Sequence, residues 1–334
     1  MGKTPQRQIA SDANASTASK PGRDDSASGA VLSTAEAPAS RLWAYVALGT
    51  AMLLWSGTFI LMKIVLTAYH PFTMVFVRML VSMAVLAPFS RSLWNNVRYT
   101  KGDWKTLLIL VLAEPCFYFM FEGYALSYTS ASEAAMIISM LPLCVGVGAF
   151  IFLRERLSRA VWWGFGVAVA GVALLTFTGQ SSASAPNPLL GNLLEMGAVF
   201  MATGYVLCVR KLTGFPAFCI VAFQSIAGAI FFGVLTFAFP QAGFPDAFHW
   251  WPTAMLVALG FISVFGYGLF NVGVAKLSAG QASAWNNLIP GLTLIMGMFF
   301  LGERFTTLQY LALIPIFLGV AISQLGEAKI AEHK

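Results

Sequence analysis

The sequence predicts an all-α membrane protein in which ten transmembrane helices form two inverted five-helix repeats around a central cavity. Three observations predict it. First, the 334 residues are 58% hydrophobic and only 10% charged, with a mean hydropathy of +0.74; a soluble domain carries about 25% charged residues. Second, residues 127–173 return in altered form at 275–321. Without a gap, Ser130, Ala131, Pro142, Phe152, Glu155, Arg156 and Gly171 each meet their own kind 148 residues on. Self-similarity of this length in so apolar a chain marks two homologous halves. Third, Lys and Arg collect in alternate loops, which sets the orientation of each span.

The elements follow in order. Residues 1–42 are rich in Ala, Ser, Thr, Asp and Lys and read as a disordered cytoplasmic tail. No apolar segment follows a short basic start there, so the stretch is a poor signal peptide. Ten apolar runs then approach the roughly 20 residues a bilayer requires: 43–66, 72–90, 105–127, 131–153, 159–178, 188–210, 216–239, 252–274, 279–301 and 306–325. Barrel strands alternate and are only about 10 residues long, so a β-barrel is disfavoured. The polar stretch 181–187 divides the halves, giving repeats at 43–180 and 188–325 and a cytoplasmic C-terminal tail at 326–334.

With the N-terminus in the cytoplasm, inner loops carry Arg91, Arg98, Lys101 and Lys105; Arg154, Arg156 and Arg159; Arg210 and Lys211; and Lys276. Among outer loops only the one after the ninth span carries such a residue, Arg304. Both ends are therefore expected in the cytoplasm. An odd number of spans per half makes the second half upside down relative to the first. The formal charge of +6 lies in tails and short loops and reports orientation rather than nucleic-acid binding.

Within the repeat, Ser130-x-x-Glu133 and Ser278-x-x-Gln281 fit a capping box. Glu133 is read as structural, with substrate contact as the alternative. Pro142 and Pro290 fall roughly eleven residues into their spans, near mid-bilayer at about 1.5 Å per residue. Each removes a helix hydrogen bond and frees a carbonyl, that of Ile138 or Asn286. Matched interruptions in both halves point to a midplane binding site; the alternative is a kink that serves packing. Asn286 and Asn287 precede Pro290 by one turn, and adjacent amides in hydrocarbon require partners. Trp285 beside them is either cavity wall or lipid-facing bulk.

The third span is the other polar locus. Glu114 is followed by Pro115, and residues 114, 118 and 122 fall on one helical stripe, bringing Glu114, Tyr118 and Glu122 together. A carboxylate at bilayer depth costs on the order of 3 kcal/mol, so it has a partner or a role. Arg78 is the basic residue nearest the middle of a span, and a buried pair between it and one glutamate is expected. Glu195 in the sixth span is the shallower and weaker candidate. The opening spans also correspond, Trp55-Ser56-Gly57-Thr58-Phe59 with Lys63 against Ala202-Thr203-Gly204-Tyr205-Val206 with Arg210; the small residues permit close approach and the basic residue can snorkel to the interface.

Enzymatic and metal chemistry find little support. His70, His249 and His333 and all the aspartates lie outside the spans, which leaves no intramembrane histidine box, Ser–His dyad or aspartyl dyad. Cys116, Cys144, Cys208 and Cys219 sit within apolar runs as small buried hydrophobes. No catalytic residue, metal ligand or cofactor is expected.

The chain resembles the drug/metabolite transporter superfamily, specifically its ten-helix EamA-type exporters, over residues 43–325. The resemblance rests on Trp55-Ser56-Gly57 with Lys63, Pro71 with Arg78, Ala125-Leu126 with Thr129-Ser130-Ala131 and Pro142, Glu155-Arg156-Leu157, Gly191-Asn192-Leu193-Leu194 with Tyr205, and Pro290 with Gly302-Glu303-Arg304. It implies a central cavity worked by alternating access and lined by spans 1, 3, 4, 6, 8 and 9. The expected function is secondary active export or exchange of a small polar metabolite such as an amino acid, amine or cofactor. The alternatives are a flippase of lipid-linked substrates and a non-transporting sensor. The substrate-facing set is Trp55, Arg78, Glu114, Tyr118, Glu122, Tyr205, Trp285, Asn286 and Asn287, with Pro115, Pro142 and Pro290 as hinges. Two glutamates against one arginine leave a negative cavity, suited to a cationic or zwitterionic substrate or to proton coupling. The expected partners are the small molecule, with protons as a candidate second, and the lipid bilayer, for a monomer or homodimer in the inner membrane.

Overall fold

A computed structural model describes residues 38–95, 97–154, 157–274 and 285–332. Among them the ordered elements are helices: α1 (Pro38–Val65), α2 (Pro71–Leu86), the short α3 (Ser90–Trp94), α4 (Asp103–Val111), a π-helical turn (Leu112–Phe117), α5 (Tyr118–Tyr128), α6 (Ala131–Ile138), α7 (Leu141–Leu153), α8 (Arg159–Thr178), α9 (Pro188–Lys211), α10 (Ala217–Ala238), α11 (Trp250–Val274), α12 (Leu288–Met296) and α13 (Thr307–Glu332). Helix reaches into both stretches read as tails, because good helix formers such as Ala, Leu, Arg and Lys carry α1 and α13 past their apolar runs.

Local chemistry sets most of the ends. His70 caps α2, its ring accepting from Phe72 N, and Pro71 opens the helix where no amide bond is needed. Ser158 Oγ caps α8 at 3.2 Å from Val161 N, and Asn187 with Pro188 opens α9. The expected span 72–90 ends as α-helix at Leu86 and continues as a tighter turn through Pro88, whose ring cannot supply an amide.

Among the described residues, eight helical segments are long and apolar enough to cross a bilayer, from Leu42–Val65 through Trp250–Phe270. Two shorter apolar ones, Leu288–Leu301 and Thr307–Ser323, follow. The expected start of the ninth span, with Ser278 and Gln281, lies outside the described residues, as do Glu155 and Arg156. Large apolar side chains point outward along the spans; Phe177, Phe237 and Phe299 are 79%, 73% and 83% exposed. Continuous apolar exteriors of this kind suit lipid, not water.

The repeat is visible in backbone detail. The helix breaks at Ser139–Met140 in one copy and turns at Asn286–Asn287 in the other. Arg154 (φ 56°, ψ 30°) and Gly302 (φ 66°, ψ 21°), 148 residues apart, both take the left-handed conformation that ends a helix. The main packing pairs are α8 with α13, α1 with α11, α2 with α10, α5 with α9, α2 with α11, α1 with α12 and α7 with α9. The α8–α13 contact brings two backbones close: a Cβ added to Gly164 would stand 2.4 Å from Gly319 O, and one on Gly319 would stand 2.4 Å from Gly164 O. Backbones approach this closely only where both residues lack side chains.

Candidate functional site

The polar centre is built where α2, the π-helical turn, α5, α9, α10 and α11 meet. Pro115 interrupts the third span, and Glu114 leaves helical geometry (φ −143°, ψ 119°). The predicted single stripe therefore splits. Tyr118 and Glu122 keep the i, i+4 relation, with the Tyr118 hydroxyl donating to Glu122 Oε1 at 2.7 Å. Glu114 instead swings to α11, where the Tyr267 hydroxyl donates to its Oε1, while Gln224 Nε2 of α10 donates to its backbone carbonyl at 3.3 Å. Both carboxylates are 3% exposed.

Arg78 is buried in the same region, but the expected direct pair with a glutamate is not formed. Its Nε donates to Ser263 Oγ at 2.6 Å, its Nη1 lies 3.7 Å from Met62 Sδ, and its guanidinium carbon stands 4.3 Å above the Phe119 ring. Glu122, Tyr118 and Glu114 act on it only through space. Ser263 and the Phe119 face hold the planar guanidinium in place, so the α11 hydroxyl takes the position a carboxylate was expected to occupy.

Aromatic rings wall the cluster. Trp55 lies 5.3 Å from Tyr267 and 4.9 Å from Phe270 by ring centres, and Tyr205 lies 6.3 Å from Tyr267. A Cβ on Gly266 would stand 2.7 Å from Trp55 Nε1, so this glycine admits the indole. Beside the cluster is a cavity of about 10 Å³, lined by Met79, Pro115, Phe119, Gln224, Ser263 and Tyr267, about the room of one water.

The two breaks carry the second part of the predicted set. Pro142 and Pro290 each stand in the first turn of the helix after the break, where a missing amide is tolerated. The Asn286 carbonyl accepts from Ile289 N at 3.1 Å. Ser56 of α1 docks on this break, its Oγ 2.7 Å from Met52 O and 3.3 Å from Ile289 O. Asn286 Oδ1 is buried without a hydrogen bond, and Asn287 makes no side-chain cap. Trp285 stands apart from the centre, stacked on Tyr45 at 6.0 Å and covering Gly49.

A second polar network, only partly foreseen, sits where α1, α5, α6, α9 and α13 share one end. Ser130 Oγ caps α6 at 3.1 Å from Glu133 N, as predicted. Glu133 does not reach back; its Oε2 accepts from Asn192 Nδ2 at 2.8 Å and its Oε1 from Gln309 Nε2 at 2.7 Å, with the Thr129 hydroxyl 3.0 Å away. The start of α6 is filled instead by Glu303 from the other half. Its oxygens accept from Ala131 N at 2.8 Å, Ser132 N at 3.1 Å and Ser132 Oγ at 2.5 Å. A carboxylate on the first amides of a helix has the favourable sign against the helix dipole. Gly297 makes room for it, since a Cβ there would lie 2.6 Å from Glu303 Oε2. At the same end Lys63 reaches the loop between the halves. Its Nζ donates to Leu126 O at 2.6 Å and Ser184 O at 2.5 Å, closing the last turn of α5, within the field of Glu303 and Glu133.

The structure thus gathers Trp55, Arg78, Glu114, Tyr118, Glu122 and Tyr205 at one centre. Asn286 sits at the adjoining break, and Trp285 lies away from it. It adds Tyr267, Gln224 and Ser263, which no motif announced, and Glu195, which is wholly buried with neither oxygen hydrogen-bonded.

Comparison with known proteins accords with this architecture. Residues 42–177 and 189–324 each match the EamA-like transporter family. The uncharacterised transporter YetK of Bacillus subtilis is 25% identical over 291 residues, covering 85% of this chain and 87% of its own. A protein of Streptantibioticus cattleyicolor named as a probable terminal-alkyne amino-acid exporter is 28% identical over 182 residues, 53% of this chain and 58% of that one. The crystal structure of another protein superposes with a TM-score of 0.60 at 19% identity over 86% of this chain and 98% of its own, a likeness of fold. With both halves of a multi-pass helical membrane protein matched, the chain belongs to the EamA-like transporter family.

Proposed function

We propose that the chain is a secondary active transporter that exports or exchanges a small cationic or zwitterionic metabolite, such as an amino acid or amine, by alternating access. The observation that carries this reading is the buried centre. Glu114 and Glu122 lie near Arg78, with Glu195 buried beside Glu122, inside an aromatic wall, and such intramembrane carboxylates persist where a substrate or ion passes. The similarity to a probable terminal-alkyne amino-acid exporter supports the same class.

Ten spans in two inverted halves suit this mechanism. The packing pairs exchange when the halves are swapped: α1 with α11 becomes α9 with α5, α1 with α12 becomes α9 with α7, α2 with α11 becomes α10 with α4 and the π-helical turn, and α2–α10 and α8–α13 map onto themselves. Rocking such halves about α8–α13 opens one end as the other closes. The network of Glu303, Glu133, Asn192, Gln309 and Lys63 closes one end. With the basic loops inside, that end is the extracytoplasmic one, and the protein lies in the inner membrane with both termini in the cytoplasm.

The test is counterflow in proteoliposomes with a panel of labelled amino acids, polyamines and simple amines. At least one cation or zwitterion should accumulate, and Glu122→Gln should lower its flux. Folded protein that moves none of the panel refutes the reading.

A further inference from the structure

Among the described residues, Glu195 is the buried carboxylate at the centre with neither oxygen satisfied. It lies in α9 on a stripe with Gly191, Ala198 and Ala202, all turned inward. Glycines set the register of α9 on the third span: a Cβ on Gly191 would meet Thr129 N at 2.6 Å, one on Gly197 the Phe121 ring at 3.2 Å, and one on Gly204 the Ala113 Cβ at 3.6 Å. This antiparallel register places Glu195 across from Glu122. Glu195 is 0% exposed, and neither of its oxygens has a hydrogen-bond partner; Glu122 Oε2 also has none.

The surrounding groups decide what such a carboxyl can be. The third span presents Glu122 and Tyr118, and Glu114 beyond its π-helical turn; α6 presents Glu133, occupied by Asn192 and Gln309; α7 presents Cys144; α8 carries Arg159 at its opposite end. Among these described groups Glu122, another acid, and Tyr118 interact with Glu195 through space, whereas Arg78 acts on Glu122 and Glu114. Glu114 has the Tyr267 hydroxyl and Glu122 the Tyr118 hydroxyl. An ionised carboxylate with no donor, no cation and an acidic neighbour is the least tolerable group a protein interior can hold. A proton removes the charge without needing space.

We infer that Glu195 holds a proton in this closed conformation, and that the Glu122–Glu195 pair is a seat for either that proton or the ammonium group of a substrate. When the centre opens, the Glu195 O–H gives its proton to water, the carboxylate remains, and one substrate ammonium takes its place. One positive charge leaves as one arrives, and no other bond changes. The exchange step rests on the transport reading above; the residence of the proton does not.

Infrared spectroscopy of the purified full-length protein separates the two. At neutral pH, difference spectra of wild type against Glu195→Gln should show a protonated-carboxyl C=O band that shifts in deuterated water and is absent from the variant. Glu195→Asp should keep the band at a shifted frequency, and Glu133→Gln should leave it untouched. A band that survives in Glu195→Gln, disappears in Glu122→Gln alone, or is missing from wild type overturns the assignment. In proteoliposomes, spermidine or lysine flux should release about one proton per ammonium bound in wild type, and none in Glu195→Gln. Proton release unchanged in the variant overturns the exchange step. A band without any flux would retain the proton seat while rejecting transport.

Discussion

Glu303 is the side chain by which one half of the protein caps a helix of the other, and its removal has a calculable consequence. Glu303→Ala leaves Ala131 N, Ser132 N and Ser132 Oγ without their acceptor at a site where Glu303 itself is 9% exposed. A buried donor left unsatisfied costs about 1–3 kcal/mol, and loss of a helix N-cap costs about 0.5–2 kcal/mol. Water reaching the vacated space satisfies part of the set, so the loss should be about 2–4 kcal/mol. At roughly 2 °C per kcal/mol for a large chain, Tm should fall by about 4–8 °C. The assay is thermal unfolding of the purified full-length protein in detergent. Ser132→Ala removes only the hydroxyl and should lower Tm by about 2 °C. The double variant should fall short of the sum by about 1 kcal/mol, because the two residues share the bond. Glu303→Gln keeps one acceptor but turns an NH₂ toward Ser132, so it should lie near the alanine variant. A Glu303→Ala protein that melts within about 1 °C of wild type, or a cycle with no coupling, refutes the cap and the gate built on it.

Three further outcomes follow from the geometry. Glu114→Gln and Glu122→Gln should each lower flux of a cationic substrate at least about tenfold, about 1.4 kcal/mol of lost charge pairing; normal flux in both would remove the carboxylates from the pathway. Gly319→Ala would put a methyl 2.4 Å from Gly164 O and 2.6 Å from Ala168 N, and parting two backbones costs about 1–3 kcal/mol, so a variant as heat-stable as wild type would show that α8 and α13 do not meet there. Burial holds the His70 imidazole below the usual histidine value, and the ring caps α2 as an acceptor only when Nδ1 is unprotonated. Its contribution is therefore complete above the unfolded value and lost as pH falls through the lower folded one. Wild-type Tm should drop between about pH 7 and pH 5 more steeply than that of His70→Asn, and parallel curves would refute the cap.

Side-chain register explains how much of the site could be read in advance. Tyr118 and Glu122 follow from helical spacing alone, and their bond is intrahelical. Glu114 carried the right chemistry, but Pro115 beside it redirects its carboxyl, and spacing cannot say toward what. Arg78 was expected to meet an acid because both are costly in a bilayer; Ser263, 185 residues away, supplies its partner instead. Glu195 is visible in the sequence as an intramembrane acid, but its depth in a span says nothing about whether donors surround it. Trp285 and Asn286 are neighbours in the chain but part at the helix break, one stacking on Tyr45 and the other facing inward.

The sequence by itself determined the apolar helical class, the 148-residue repeat, the matched proline breaks and the cap at Ser130, because these depend on composition and on groups within a few residues of one another. Only the tertiary structure decided that Glu303 caps the helix of the opposite half, that Lys63 ties the end of α5 to the loop at Ser184, and that Tyr267 reaches Glu114. Each is a contact between residues far apart in the chain. In a medium without water, every polar group must find its partner wherever packing brings one within reach.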